Sequence, residues 1–267
     1  MSDKSVLLDI NGGVATVTLN APERLNAMSP KLLADLNEAL DQCCADQSLR
    51  ALILTGNGRG FCSGADLSNK GTASADGHAR GEATRQNMHN VFSPMVKKIL
   101  NLPVPTIAAI NGVAAGGGYG LALSCDLVIA AESAEFILVF TPNLGLIPDV
   151  GASWHAPRIM GRAKAMALAF FGDRMKAADA VEAGLIWKAV PDDQLMKEAN
   201  AVAAKLAAGP TRAYSQVRKV FDLAPTHSLH DHLDLEAETQ PALIATDDFI
   251  EGARAFMQKR KPEFKGS

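Results

Sequence analysis

The sequence predicts an α/β domain followed by a helical C-terminal region. Short, almost wholly apolar runs bounded by turn residues predict strands buried on both faces, which are typical of parallel sheets with crossover helices. Amphipathic helical patterns separate these runs, and only helical patterns follow Asp192. We therefore expect a catalytic core over residues 1–192 and a helical region over 193–267 that contacts neighbouring subunits.

Composition limits the class of function. The chain has 267 residues, of which 48% are hydrophobic, enough to bury a sizeable core. A formal net charge of −3 gives no global basic field of the kind that nucleic-acid binding uses. The N-terminal residues lack a signal-peptide pattern, and no apolar run reaches membrane-spanning length. We expect a cytoplasmic protein with neither nucleic acid nor a membrane as partner.

The N-terminal elements have clear local signals. Residues 14–19 alternate between apolar and polar side chains after a glycine pair, which predicts a half-covered strand that follows a hairpin turn. Ser29 and Pro30 are typical of the N-cap and first position of a helix, here one that ends near Asp46.

The middle and C-terminal elements follow from apolar periodicity. Residues 51–55, 104–110 and 127–131 predict buried strands. Residues 69–81 are rich in small and polar residues without periodicity, which predicts a loop, either a solvated connection or an active-site lid. Four helices are predicted at 193–208, 211–223, 228–245 and 247–260, and the last has an apolar stripe to bury.

Two glycine-bearing segments, 61–66 and 115–120, each follow a predicted buried strand. Glycine lets the main chain approach a ligand closely, and backbone N–H groups at a helix start can face an anion. If both segments meet one carbonyl oxygen, they form an oxyanion hole that stabilises a developing enolate. A tight structural turn is the alternative for the second segment.

Neither segment carries a nucleotide-binding fingerprint. The spacing that starts at Gly116 and Gly118 places Leu121 where GxGxxG needs its third glycine, and no GK[ST] ending follows. Ser63 and Ser153 lack the flanking glycines of a serine-hydrolase elbow.

The cysteines and histidines favour neither disulfides nor a metal site. Cys43, Cys44, Cys62 and Cys125 fit no CxxC pair or disulfide framework, so we expect reduced thiols. We interpret Cys62 as a small residue in a tight loop and not as a nucleophile. The histidine cluster within 227–232 lacks the spacing of a zinc motif.

Asp149 is the remaining candidate for chemistry. It lies between apolar residues and a glycine, just before a helical pattern over 152–160. It is either the N-cap of that helix or a proton-transferring group whose pKa is raised by burial among apolar neighbours.

Six segments of the chain form a recognisable series of motifs: PERLNA at 22–27, RGFCSGADL at 59–67, INGVAAGGG at 110–118, CD at 125–126, GLIPD at 145–149 and FMQKR at 256–260. Through these motifs the chain resembles, across nearly its full length, the crotonase (enoyl-CoA hydratase/isomerase) superfamily. The stretch 136–187 is most similar to the epoxyphenylacetyl-CoA isomerases of phenylacetate degradation.

The resemblance implies a spiral of ββα units, a C-terminal trimerisation region, and trimers that often pair as hexamers. It implies an acyl-CoA thioester substrate, with coenzyme A as part of the substrate and no tightly bound cofactor. The thioester oxygen would accept hydrogen bonds from the backbone N–H groups of Ala65 and Gly117. The implied coenzyme A contacts are Arg24, Leu25, Ala27, Arg59, Asp66, Leu67 and, from a neighbouring subunit, Lys259. A solvated basic tail is the alternative for Lys259.

The departures from the family pattern favour one reaction. Hydratases of the family carry glutamates where this chain has Gly120 and Thr141, whereas Asp149 stands where several isomerases keep their acid/base. One carboxylate suffices to move a proton along an acyl chain, but hydration must also activate a water. We expect an isomerase, with Asp149, Ala65 and Gly117 as catalytic groups. A hydratase, an aryl-CoA dehalogenase with Asp149 as nucleophile, and a non-catalytic acyl-CoA-binding or RNA-associated scaffold are the alternatives.

Overall fold

The computed structural model describes residues 4–66 and 76–267 of the chain. The strands are β1 (Val6–Asn11), β2 (Val14–Leu19), β3 (Ala51–Gly56), β4 (Gly60–Cys62), β5 (Thr106–Ile110), β6 (Val113–Ala115), β7 (Leu127–Ala131), β8 (Glu135–Ile137), β9 (Met175–Lys176) and β10 (Lys188–Val190). The helices are α1 (Pro30–Ala45), α2 (Gly77–Asn87), α3 (Ser93–Leu100), α4 (Gly117–Leu123), α5 (Phe140–Leu144), α6 (Ala152–Met160), α7 (Arg162–Phe171), α8 (Ala177–Glu182), α9 (Leu195–Ala207), α10 (Thr211–Leu223), α11 (Leu229–Ile244) and α12 (Asp247–Met257).

Successive strand pairs divide between two sheets. Strands β3, β5 and β7 lie next to one another in a larger sheet of order β1-β2-β3-β5-β7-β10. The strand that follows each of them joins a smaller sheet of order β4-β6-β8-β9. Neighbours from β2 to β10 in the larger sheet, and from β4 to β8 in the smaller one, are parallel. Each turn of this spiral is a ββ unit followed by helix, which is the expected crotonase fold.

Most local predictions for the core are confirmed. Strand β2 has the predicted bounds, and the Ser29 side chain accepts a hydrogen bond from the N–H of Leu32 at the start of α1. Strand β5 begins at Thr106, later than predicted, because Pro105 has no N–H to donate to a sheet ladder.

The predicted loop at 69–81 is wrong at its C-terminal end. Helix α2 begins at Gly77, because the Asp76 carboxylate caps it by accepting hydrogen bonds from the N–H groups of His78 (2.8 Å) and Ala79 (3.0 Å). The rest of that prediction, over 69–75, lies outside the described residues.

The C-terminal helices begin and end close to the predicted positions. Helix α9 packs against β3 and β5, and its Leu195, Ala199 and Ala203 belong to the hydrophobic core. The apolar stripe of α12 is largely exposed in the single chain, with Phe256 at 85% and Met257 at 83% relative exposure. The domain boundary at 192/193 stays a prediction.

Helix α10 is tied to the core by an ion pair. Arg218 donates from Nε and Nη2 to the two carboxylate oxygens of Asp126, each at 2.5 Å, and also to the carbonyls of Leu100, Leu102 and Val104. Asp126 in turn accepts from the backbone N–H and the hydroxyl of Thr106 at the start of β5.

Within the described residues, no helix combines the length and apolar character needed to cross a membrane.

Replacing Arg218 by glutamine should lower the free energy of unfolding by about 3 kcal/mol, because it removes the cationic partner of a largely desolvated carboxylate and the donor to three carbonyls. Urea denaturation at fixed protein concentration measures this loss. Arg212→Gln, an exposed position on the same helix, is the matched control and should change stability by less than about 0.5 kcal/mol. Equal stability of the two variants would contradict the anchoring role of the ion pair.

Candidate active site

The two predicted glycine segments meet because the strands before them are neighbours. Strands β4 and β6 are adjacent and parallel, so the loops that follow their carboxyl ends leave the same edge of the smaller sheet. An ideal Cβ on Gly64 would lie 3.0 Å from the backbone nitrogen of Gly117 and 2.9 Å from the carbonyl oxygen of Ala115. Gly64 also has φ +91°, which a residue with a side chain rarely adopts.

The N–H groups of Ala65 and Gly117 are available to a ligand. In the described part of the chain neither group donates to a protein acceptor, although Met28, which bridges to Ala65, donates its own N–H to Gly64 at 2.7 Å. Gly117 is the first residue of α4, where backbone N–H groups have no partner within the helix. Two such donors on adjacent loops can stabilise a negatively charged oxygen.

The segment before Met28 is fixed by a buried asparagine. Asn26 has φ +54° and no solvent exposure. Its side chain accepts a hydrogen bond from Ala21 N–H (2.8 Å) and donates to the carbonyls of Asn57 (3.0 Å) and Gly60 (2.9 Å). This network holds residues 22–27 against the start of β4.

A cavity of about 550 Å³ brings the three predicted catalytic residues together with Asp66. The two proposed oxyanion donors and the candidate acid/base all line it. Its lining includes Met28, Leu33, Ala65, Asp66, Met88, Phe92, Gly117, Leu146, Asp149 and Val150.

The two carboxylates of this cavity have different surroundings. Asp66 forms an ion pair with Arg24, with an N–O distance of 3.2 Å. Asp149 is half-buried, and its burial raises the pKa of its carboxyl above the ordinary value, against a small opposing effect from its own backbone N–H. A raised pKa brings a carboxyl closer to the range useful for proton transfer at neutral pH.

Asp149 is not a helix cap. Gly151 occupies the N-cap position of α6 and no side chain caps that helix, while Asp149 contributes only its backbone carbonyl, which accepts from Ala152 N–H at 2.9 Å. The alternative that Asp149 serves as the N-cap is therefore wrong, and its carboxylate is left facing the cavity.

The backbone of the loop that carries Asp149 occupies the space that a side chain at position 120 would need. An ideal Cβ there would lie 2.2 Å from the carbonyl oxygen of Val150 and 3.1 Å from that of Asp149. Val150 itself has φ +50°, a left-handed conformation that is rare for a β-branched residue and costs about 1–3 kcal/mol. No carboxylate can occupy position 120 without moving the loop that carries Asp149.

Thr141 forms hydrogen bonds within the loop that leads to Asp149. Its hydroxyl donates to the carbonyl of Leu146 at 2.9 Å, and its carbonyl accepts from Gly145 N–H at 3.1 Å. It therefore stabilises the turn that leads to Asp149, and it does not line the cavity described above.

The other predicted binding residues that the structure describes do not line this cavity. Leu25 accepts from Ser63 N–H at 2.9 Å, and Ala27 follows it in the segment held by Asn26. Arg59 is exposed just before β4. Lys259 is exposed just after α12 and does not line this cavity of the single chain, and Leu67 lies outside the described residues.

A second cavity, of about 450 Å³, extends the first one past Asp149. The two share Met88, Phe92, Asp149 and Val150, and the second continues to Trp154. Val150 and Met28 line the site without having been predicted, because only their position beside the motif residues gives a signal.

The cysteines are poorly suited to act as nucleophiles, and the histidine beside the second cavity is uncharged. All four cysteines are free thiols, and burial raises the pKa of Cys62 to about 12, which keeps it protonated and a poor nucleophile. Burial lowers the pKa of His155, next to the second cavity, to about 4, so that its imidazole is neutral. No group of three or more His, Cys, Asp or Glu side chains among the described residues could hold a metal ion.

Comparison with known proteins agrees with the fold and identifies the family. The family model described as enoyl-CoA hydratase/isomerase matches residues 9–267, and the chain belongs to that family. A 1,2-epoxyphenylacetyl-CoA isomerase of Escherichia coli is 42% identical over 261 residues, covering 98% of each chain. A Rhodobacter capsulatus protein named "Probable enoyl-CoA hydratase" is 41% identical over 266 residues, covering 100% of each. The crystal structure of an enoyl-CoA hydratase from Bacillus anthracis superposes with a TM-score of 0.89 at 34% identity, covering 99% of this chain and 100% of that one.

Thiol titration of the native protein should detect about one fast-reacting cysteine, Cys44, because the other three are buried. The Cys62→Ala variant should turn over substrate within about threefold of the wild-type rate, since a protonated, buried thiol takes no part in catalysis. Loss of turnover in a folded Cys62→Ala protein would restore the nucleophile interpretation.

Proposed function

We propose that the chain is an acyl-CoA isomerase with a single acid/base, Asp149. The observation that carries the proposal is that Asp149 is the cavity's carboxylate without a cationic partner among the described residues, while backbone fills the space at Gly120. The isomerase relative from Escherichia coli supports the same class of reaction.

The reaction follows from these groups. The carboxylate of Asp149 removes a proton from carbon next to the thioester, or from its vinylogous position, and the electron pair moves onto the thioester oxygen. The N–H groups of Ala65 and Gly117 stabilise that enolate oxygen. The enolate collapses as the same carboxyl returns the proton to a different carbon, so that no co-reactant is consumed and the double bond has moved.

The substrate is an acyl-CoA thioester. Its coenzyme A part would contact Arg24, Leu25, Ala27, Arg59, Asp66 and Leu67, and its acyl group would enter the second cavity past Asp149. The apolar walls of that cavity, which include Phe92 and Trp154, suit a largely apolar acyl group.

Enoyl-CoA hydratase is the second candidate, because the Rhodobacter capsulatus relative carries that name. Hydration would require Asp149 to activate a water and also to protonate carbon. Production of a hydroxyacyl-CoA from crotonyl-CoA at roughly 1–10³ per second would favour this candidate.

The Asp149→Asn variant should lose about 10²–10⁴-fold in isomerisation and in exchange of the mobile proton, because an amide cannot accept that proton. The measurement is turnover of an unsaturated acyl-CoA in deuterated water, followed by mass spectrometry. Asp173→Asn, at an exposed position, is the control and should match the wild type. Undiminished exchange by Asp149→Asn would refute the proposal, as would a covalent aspartyl adduct formed with a haloaryl-CoA.

We further propose that the chain forms a trimer, or a dimer of trimers, through its C-terminal helices. The exposed apolar stripe of α12 supports this, since large exposed apolar patches mark interaction surfaces. In such an assembly Lys259, two residues after α12, would reach a coenzyme A phosphate in a neighbouring subunit.

Light scattering should give the mass of three or six chains for the wild type and a smaller species for the double variant Phe256→Gln/Met257→Gln, which weakens the apolar stripe. Ile10→Gln, at a partly exposed apolar position on β1, should keep the wild-type mass. A monomeric wild-type protein would contradict the assembly without affecting the proposed chemistry.

A further inference from the structure

Helix α4 contacts the two parts of the candidate site, the oxyanion loops and the loop that carries Asp149. Gly117, its first residue, carries one proposed oxyanion donor. Three residues later, Gly120 lies so close to the Asp149 loop that a Cβ would be 2.2 Å from the carbonyl oxygen of Val150. The spacing of the two glycines is fixed by the geometry of one helical turn.

Val150 completes a second contact with α4. One of its methyl carbons, Cγ2, lies 3.2 Å from the position of an ideal Cβ on Gly117, and the residue is only 8% exposed. The side chain therefore packs on the donor end of α4 while the carbonyl packs on Gly120. Val150 makes both contacts in a left-handed conformation, at φ +50°, which the surrounding packing must maintain.

We propose that Gly120 and Val150 are positioning residues that set where the Asp149 carboxylate lies relative to the N–H of Gly117. The inference rests on the proposed role of Asp149 as the proton shuttle and explains how that role is maintained. Proton transfer and enolate stabilisation act on one small group of substrate atoms, so a displacement of about 1 Å between the two groups costs on the order of 10²-fold in rate.

The first test is Gly120→Ala. Its Cβ would displace the Val150 carbonyl and, with it, Asp149. We expect kcat for isomerisation to fall at least tenfold while KM changes less than threefold, because the coenzyme A contacts are elsewhere. Gly81→Ala is the matched control: Gly81 is in α2, has no atom within 4 Å of an ideal Cβ, and should keep wild-type kinetics.

The second test is Val150→Gly, which introduces no clash and tolerates a positive φ, so that folding does not depend on a new contact. Glycine at this position frees the loop, and we again expect kcat to fall at least tenfold. The variant also decides the matter if Gly120→Ala fails to fold.

The pH dependence of kcat separates positioning from simple packing. A base works only when deprotonated, so the rate falls as pH drops through the pKa of Asp149, which burial raises. A displaced, better-solvated carboxylate has a lower pKa, and the acid limb of the profile should therefore move to lower pH in both variants. A variant that lost only packing would have a lower rate and an unmoved limb.

Wild-type kcat in folded Gly120→Ala or in Val150→Gly, or a lowered kcat with the acid limb unmoved, would overturn the positioning role. These outcomes leave the proposed function intact if Asp149→Asn is inactive in the same assay. An active Asp149→Asn protein would instead refute the proposed function itself, so the two failures are distinguishable.

Discussion

The candidate site depends on how closely helix α4 packs between two backbone segments. An ideal Cβ on Gly118 would lie 2.2 Å from the carbonyl oxygen of Cys62, at the end of β4, and one on Gly120 would lie equally close to that of Val150. The helix thereby joins the oxyanion loops to the Asp149 loop without an intervening side chain. Because neither contact leaves room for a methyl group, the relative position of the two halves is set by backbone atoms, which adjust less readily than side chains.

The two carboxylates that line the first cavity, Asp66 and Asp149, have different surroundings. Asp66 has Arg24 beside it and forms an ion pair with it, with an N–O distance of 3.2 Å. Asp149 lies between apolar walls, and its burial disfavours the charged form. Environment, and not residue type, therefore makes Asp149 the better candidate for proton transfer and Asp66 the better one for holding Arg24 at the cavity edge.

The sequence predicted the elements whose signals are local and missed features that arise only in the folded chain. Alternation over 14–19 and the Ser29-Pro30 cap depend on neighbouring residues, so they were predicted correctly. The cap at Asp76 was hidden in a polar segment without apolar periodicity, although its own side chain supplies the capping bonds. The left-handed conformation of Val150 had no sequence signal at all, since valine disfavours it and only the contacts with α4 and the neighbouring Gly151 turn account for it.

Under the proposed mechanism, these contacts explain why the site holds one carboxylate, which can move a proton along an acyl chain, and not the pair that hydration would use. Hydration requires a group to hold and deprotonate water while another protonates carbon, and neither of the two positions that carry glutamates in the hydratases this chain resembles has a carboxylate here. Backbone fills the space at Gly120, and the hydroxyl of Thr141 is bonded to Leu146. A glutamate at position 120 would displace the loop that carries Asp149, so it could not add a second acid while leaving Asp149 in place. Under the proposed mechanism, the geometry that positions the single proton shuttle is therefore the same geometry that excludes its partner, and a change of reaction would require the 145–151 loop to be rebuilt as a unit.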